Sequence, residues 1–441
     1  MTILGKLRWS LNRPVHSRRA VVVYRSLWTR NGRTRLLLSA FALVRPVCWI
    51  AADLYRRTLA RRARVVAVVG SFGKTTTTRA VRAALGLPAS RFVGQNAGTA
   101  IAVGVLNLRP GSSRGALEVG IGRCGEMVGH ARLIRPDIVV VTSIGSEHLS
   151  SLGTLEVTRE EKAEMLRALP ASGTAILNGD DPNVLWMRRK TQARVITYGF
   201  GEEHEVRASG VTQAWPDGTR FRLHVDGETH DLHTRLIGRH MIYPILAAVA
   251  VSRAEGLELR TSLSALEGLE PTQNRLQPIR HRSGAFLLLD AYKGALETIH
   301  AALDALDELP AERKLVVLGD VEEPPGSQGP IYRELGERMA GIATRVVFVG
   351  GKTNFNRLKV GTKAGGLSRD ALTNVRTGAL EVAEVLKADL RPGDLVLIKG
   401  RSTQHLERVA LTLMGTSVEC QRRSCPRRHD CETCPLLGRR A

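Results

Sequence analysis

Acidic residues are almost missing from the first 64 positions of this 441-residue chain, where fifteen Lys or Arg face one Asp, Asp53. That segment carries +14 of the net +22, and the stretch from Glu419 onward carries +3, leaving +5 for the long body between them. The basic character is therefore local, and a general nucleic-acid-binding surface is not required. Cysteine is equally scarce. Cys48 and Cys124 stand alone, and the other four of the six crowd into the closing segment. A long chain this poor in cysteine is not a disulfide scaffold. A clean apolar run is lacking too. Leu36 to Tyr55 is the most apolar part of the N-terminal segment, but Arg45-Pro46 interrupts it. An arginine in mid-helix costs about 2.5 to 3.5 kcal/mol on membrane insertion, and both flanks are basic, which disfavours a span. No apolar core is followed by a small-residue cleavage site, so no signal peptide is expected. Internal repeats are absent.

Aromatic residues make up only 4% of the chain, yet three of its five tryptophans (Trp9, Trp28, Trp49) lie before residue 64. Arginines interleaved with Trp and Leu suit a helix lying in an anionic membrane interface. Packing of this basic helical arm, residues 1–63, on the protein's own body or on a partner is the alternative.

What is present describes a globular protein: 43% hydrophobic and 24% charged residues, with length for two or three domains. The focal stretch is Val65 to Val69, a small apolar run that reads as a buried strand. It runs into Gly70-Ser-Phe-Gly-Lys-Thr75 and then a helical pattern through Leu85. Strand, glycine turn and helix start make a phosphate cradle. Backbone N–H groups face the anion, Lys74 reaches the outer phosphates and Thr75 offers a hydroxyl to Mg²⁺. The spacing is two residues shorter than the general P-loop, so an ordinary strand-to-helix turn with a surface lysine stays open on this stretch alone.

Residues 64–270 alternate apolar runs (65–69, 116–119, 138–142, 174–177, 194–198) with amphipathic helices, predicting a mainly parallel α/β sheet. Glu205 to Leu236 alternates with period two and reads as an antiparallel excursion, followed by an Ala-rich helix from Gly238. Beyond Glu270-Pro271 comes a second, Rossmann-like α/β domain, residues 271–418. Its strands are expected at 286–289, 314–318, 345–349 and 395–399, and its helices at 295–309, 330–340 and 379–388. Residues 419–441 form a cysteine-bearing basic tail.

Open α/β sheets place ligands at the carboxyl ends of their strands. Glu118, His148, Asp290 and Lys399 fall at such ends, and Lys162 lies in the helix after His148. A carboxylate and an imidazole beside a phosphate loop suit a second Mg²⁺. Singly, each such residue is more often a structural hydrogen-bonder. The tail's Cys420-x4-Cys425-x5-Cys431-x2-Cys434 is four soft ligands within fifteen residues. Structural zinc is the favoured reading, with free or redox-active thiols and an iron–sulfur cluster as the alternatives.

As an ordered set these pieces resemble the ATP-dependent Mur ligases, nearest the MurF type, over residues 64–415. The matching motifs are Gly70 to Thr75, Gln95-Asn96-Ala-Gly, Glu118 to Glu126, Ser143-Ile-Gly-Ser-Glu-His148 and Lys162-Ala-Glu164. They continue with Leu177 to Asp181, Gly238-Arg-His240, Asn274-Arg275, Asp290-Ala-Tyr292, Val317 to Asp320 and Lys399-Gly400. The resemblance implies that ATP phosphorylates a substrate carboxylate and that an amino-acid or peptide amine attacks the acyl phosphate. It implies nucleotide contacts from Gly70, Ser71, Gly73, Lys74, Thr75, Thr76, Asn96, Arg275 and Asp290. It further implies Mg²⁺ at Thr75, a second Mg²⁺ at Glu118 and His148, and carbamylation of Lys162. By the same resemblance the protein is expected in the cytoplasm, in cell-wall or other envelope-polymer synthesis, with no nucleic-acid partner. Its departures are Lys293 and Ala295 where the family has asparagines, Met241 after Gly-x-His, and Val321-Glu-Glu-Pro-Pro325 after Leu-Gly-Asp. The usual N-terminal UDP-sugar domain is replaced by the basic arm, which points to a membrane-proximal, lipid-linked or polymeric carboxylate. A nucleotide-binding scaffold without turnover is the reading from another class, and a nucleic-acid-binding ATPase is a third.

Overall fold

The computed structural model describes residues 45–90, 93–96, 98–147, 149–425 and 431–438. The expectations for residues 1–44 and for His148 lie outside that set.

Strand β1 (Arg64–Val69) sits inside an eight-stranded sheet. Val66 and Val68 point into one core, while Val65, Ala67 and Val69 point into the other. A strand covered on both faces has no position for a polar side chain, hence the unbroken apolar run. One covering layer comprises helices α2 (Lys74–Ala84), α6 (Ile242–Ala254) and α7 (Leu259–Glu267). The opposite layer holds α1 (Arg45–Arg57), α3 (Thr99–Leu106), α4 (Glu126–Ile134) and α5 (Leu155–Arg167). Helix α6 is apolar nearly all round because it is buried nearly all round.

The sheet order is β2-β1-β3-β4-β5-β6-β7-β8. Strands β2 (Arg114–Glu118), β3 (Ile138–Val141), β4 (Thr174–Asn178) and β5 (Arg194–Gly199) run parallel with β1. The alternating segment becomes β6 (Val206–Gln213), β7 (Thr219–Val225) and β8 (Glu228–Thr234). It extends the same sheet: β6 pairs parallel with β5 before the antiparallel meander begins. Strand β1 has β2 on one side and β3 on the other, so chain order reverses there. That switch point opens a crevice at its carboxyl end.

The second sheet has order β13-β12-β11-β14-β10-β9. Strands β10 (Phe286–Asp290), β11 (Arg313–Gly319), β12 (Arg345–Val349), β13 (Leu372–Val375) and β14 (Asp394–Lys399) are parallel, and β9 (Gln277–Arg280) is an antiparallel edge. Helices α8 (Leu296–Glu308), α9 (Gln328–Ile342), α10 (Lys352–Ala364), α11 (Ala379–Lys387) and α12 (Glu407–Leu413) complete this part of the chain. The helix–strand pair α10 and β13 was not expected. Its sequences, Lys352-Thr-Asn-Phe-Asn-Arg and Leu372-Thr-Asn-Val375, are too polar to show periodicity, as befits an edge strand and its half-exposed helix.

The end of the N-terminal arm packs on the body. Cys48 and Ala52 of α1 are buried in the core they share with α3 and α4. Buried Arg56 donates from Nε to Ile134 O (2.8 Å), from Nη2 to Arg135 O (2.9 Å) and from Nη1 to Ala60 O (2.7 Å). A cation on the last carbonyls of α4 satisfies orphan acceptors and faces the negative end of the helix dipole. Val47, Ile50 and Leu54 lie on the opposite side of α1 and are exposed, as is Leu59 just beyond it.

Candidate active site

The loop after β1 is shaped by two glycines. Gly70 has φ +141°, and a Cβ there would lie 2.0 Å from Thr142 Oγ1, so no side chain fits. Gly73, at φ +81°, caps the start of α2 and leaves that helix's first N–H groups without a capping side chain. Loop and β3 are stitched together: Ser71 N–H donates to Ser143 O (2.6 Å), and Gly145 N–H to Ser71 Oγ (2.9 Å). The Leu177 to Asp181 motif braces the β3 side, with Asn178 Nδ2 donating to Thr142 O (2.9 Å) and Ile144 N–H to Asp181 (2.8 Å).

Lys74 is buried, which excludes the surface-lysine alternative. Its ammonium donates to Gly70 O (2.8 Å), Ser71 O (2.7 Å) and Glu147 Oε2 (3.1 Å). Lys162, fully buried on α5, donates to Ser71 Oγ at 2.9 Å. Lys293, at the altered asparagine position after β10, reaches across to the other Glu147 oxygen. Burial alone would raise the Glu147 carboxyl, but Lys74, Lys293 and Lys162 outweigh it and hold it well below the usual carboxylate range. Burial, then repulsion from Lys74, brings the Lys162 ammonium down to about 7 against the pull of Glu147. Three lysines thus crowd one carboxylate in a buried pocket. The excess is cationic, so the pocket favours an added anion.

Glu118, buried at the end of β2, accepts from Thr75 Oγ1 (3.1 Å), Gly94 N–H (2.7 Å) and Asn96 Nδ2 (2.5 Å). A carboxylate and a hydroxyl at this distance form a hard-oxygen pair, the donor chemistry Mg²⁺ prefers. Thr76 Oγ1 faces Thr272 Oγ1 at 3.1 Å, tying α2 to the segment between the two sheets. Beside it opens a cleft of about 570 Å³ lined by Thr75, Arg79, Gly94, Gln95, Arg275 and Tyr292, with the Arg275 guanidinium 4.2 Å above the Tyr292 ring. Asp290 is buried in an ion pair with Lys399, 2.6 Å away at the end of β14. The second sheet's domain also meets the loop after β3, because Glu297 on α8 accepts from Ser146 N–H (2.8 Å) and Ser146 Oγ (2.7 Å).

Sequence reasoning passed over Glu147 and Lys293. Glu147 immediately precedes His148, a charged residue in a loop following a buried strand, and that placement was the available signal. Lys293 shows itself only as a departure from the family pattern. The tail also differs from expectation. Among the described residues a single group of three metal-ligating side chains converges, His405, Glu407 and Cys431, and Cys431 is the only one of the four tail cysteines in it.

Residues 68–252 match the Mur ligase middle domain, and residues 274–402 match the family described as Mur ligase, glutamate ligase domain. The chain is 28% identical over 355 residues to the UDP-N-acetylmuramoyl-tripeptide–D-alanyl-D-alanine ligase of Bacillus subtilis, spanning 80% of this chain and 76% of that one. The Escherichia coli enzyme of the same name is 30% identical over 294 residues, 65% of each chain. Among solved structures, MurF from Acinetobacter baumannii superposes with a TM-score of 0.73 at 22% identity, covering 84% of this chain and 80% of that one. The Thermotoga maritima MurF ligase in complex with ADP gives 0.71 at 22% identity and 82% of both. The order of the motifs, the two matched domains and the two-sheet architecture agree: the chain belongs to the Mur ligase family.

Proposed function

We propose that the protein is an ATP-dependent acid–amine ligase of peptidoglycan synthesis. A substrate carboxylate oxygen takes the γ-phosphoryl group with loss of ADP. An amino-acid or peptide nitrogen then attacks the acyl carbon, forming the amide and expelling phosphate. The observation that carries this reading is the convergence of Lys74, Lys162 and the Thr75–Glu118 pair at the carboxyl end of β1. The glycine turn and α2 offer backbone N–H groups to the phosphates. Lys74 then leaves Glu147 for the outer phosphates, neutralising charge on the transferring group. Thr75 would hold one Mg²⁺ and Glu118 with His148 a second, and the ions would supply charge neutralisation. Lys162, whose amine loses its proton near neutral pH, is suited to carbamylation, which turns it into an anion on the metal side. Arg275 over Tyr292 forms the nucleotide-facing wall, and Asp290 acts through Lys399 to order that wall.

The test is ADP release across a panel of peptide carboxylates and amines. The reading expects release only when ATP and a matched pair are present together, and its loss in Lys74→Ala. ATP binding without stimulation by any pair would favour the turnover-deficient scaffold instead.

We place the enzyme in the cytoplasm at the membrane face. Among the described residues no helix is long and apolar enough to cross a membrane. Exposed Val47, Ile50, Leu54 and Leu59 adjoin Arg57, Arg61 and Arg62, which suits shallow insertion into an anionic surface. Flotation with anionic liposomes tests this, since equal recovery of the intact chain and of a variant with those four apolar residues changed to Ser would rule it out.

A further inference from the structure

We propose that His405, Glu407 and Cys431 form a zinc-class metal site that clasps the C-terminal tail onto the wall of the nucleotide cleft. The site is distinct from the phosphate loop and does not depend on the reaction assigned above.

The three side chains are buried, and one ligand atom from each lies within 4.8 Å of the other two. Protonation geometry makes the cluster unusual. His405 Nε2 lies 3.3 Å from the carbonyl oxygen of Cys425, an acceptor only, and the tautomer that donates there carries its proton on Nε2. In the neutral ring Nδ1 is then a bare lone pair, and it stands 2.8 Å from Glu407 Oε1. Two lone pairs at that separation repel unless a cation lies on or between them. A second proton on the ring would serve those two atoms alone, whereas a metal ion would bind one ligand atom from all three side chains.

The surroundings fit the metal. A ligating histidine ordinarily donates its other ring N–H to a carbonyl or carboxylate, as His405 does to Cys425. Cys431 N–H donates to Glu407 Oε1 at 3.2 Å, orienting the carboxylate. Arg408 donates from Nε to Cys431 Sγ at 3.0 Å, opposing the rise that burial and Glu407 impose on the thiol, and is itself held by the carbonyl of Arg422 at 2.8 Å. His405 adopts φ +52°, a left-handed turn that brings it to the same side as Glu407 two residues on. One thiolate, one imidazole and one carboxylate select a borderline-soft ion such as zinc over Mg²⁺ or Ca²⁺.

The clasp has a reach. Glu432, next to Cys431, accepts from Gln273 Nε2 at 2.8 Å, and Gln273 lines the nucleotide cleft. Cys425 N–H is tied to Thr403 O at 2.8 Å. Fixing Cys431 therefore fixes one wall of that cleft.

The experiment is metal analysis of the full-length protein purified without added metal, followed by cobalt replacement. About one zinc per chain is expected, with a thiolate-to-cobalt charge-transfer band on substitution. His405→Asn and Cys431→Ser should lose the metal, while Cys124→Ser, an exposed cysteine in the other domain, should keep it. Where a variant fails to fold, chelator-stripped wild-type protein provides the reading through cobalt uptake and a rise in Tm on remetallation. Less than about 0.1 zinc per chain with no cobalt uptake would overturn the proposal in favour of an imidazolium–carboxylate pair. Metal retained by His405→Asn but lost from the cysteine variants would overturn it in favour of four thiolates.

Discussion

Two buried polar clusters in this chain are near-opposites. Around Glu147, three ammonium groups from Lys74, Lys162 and Lys293 share one carboxylate. Around Cys431, an imidazole lone pair, a carboxylate and a sulfur face one another, with Arg408 the cation that touches the sulfur among the described residues. The first has cations in search of an anion and lies at a helix start suited to phosphate. The second has electron-pair donors in search of a cation and lies where a tail must be held. Burial makes both imbalances costly, so each marks the sign of its missing partner.

The largest effect that sharpens this contrast is on turnover. Lys74→Ala should lower kcat about 10³-fold, read as ADP release at saturating substrates. Glu147→Gln should be next. It leaves buried Lys74 and Lys162 and half-buried Lys293 without their carboxylate and should cost roughly 3 kcal/mol of stability in denaturant unfolding. ATP with Mg²⁺ should return much of that loss; equal destabilisation with and without nucleotide would break the assignment of this cluster as an anion site. The mirror substitution, Glu407→Gln, should weaken zinc by at least about 10-fold in competition with a chromophoric chelator, with little change in ATP affinity.

The contrast can also be followed through a pH dependence. The Lys162 ammonium titrates at about 7 in the folded chain against 10.5 in the open chain. Below about pH 7 both states hold the proton, and its burial is fully unfavourable. Between there and 10.5 the unfolded state binds more protons, so this group's contribution to stability improves as pH rises. The Tm of Lys162→Met relative to wild type should therefore be highest on the acid side and decline toward pH 10. A difference independent of pH would contradict the depressed value.

What the sequence made legible was what local physics writes into adjacent residues. Val65 to Val69 had to be a doubly covered strand, and Gly70 and Gly73 had to bend the chain. Glu118 stood out because a carboxylate ended an apolar run. The rest depends on residues distant in sequence. Glu147 gains its meaning from Lys293, 146 residues away. The tail's cysteine spacing advertised a metal, but His405 and Glu407 come from the start of α12, and only tertiary packing sets them against Cys431. The polar pair α10 and β13 escaped notice for the opposite reason: an edge element has little apolar patterning to display.

The ion pair between Lys74 and Glu147 has a kinetic consequence. A carboxylate tethered where the proposed reaction would receive the outer phosphates acts as a built-in competitor at fixed effective concentration. ATP must displace it to engage Lys74. Under the proposed reaction, once the phosphoryl group has left with the substrate ADP sets only its β-phosphate against Glu147, which then competes better for the lysine. The pocket thereby resets itself toward release of spent nucleotide.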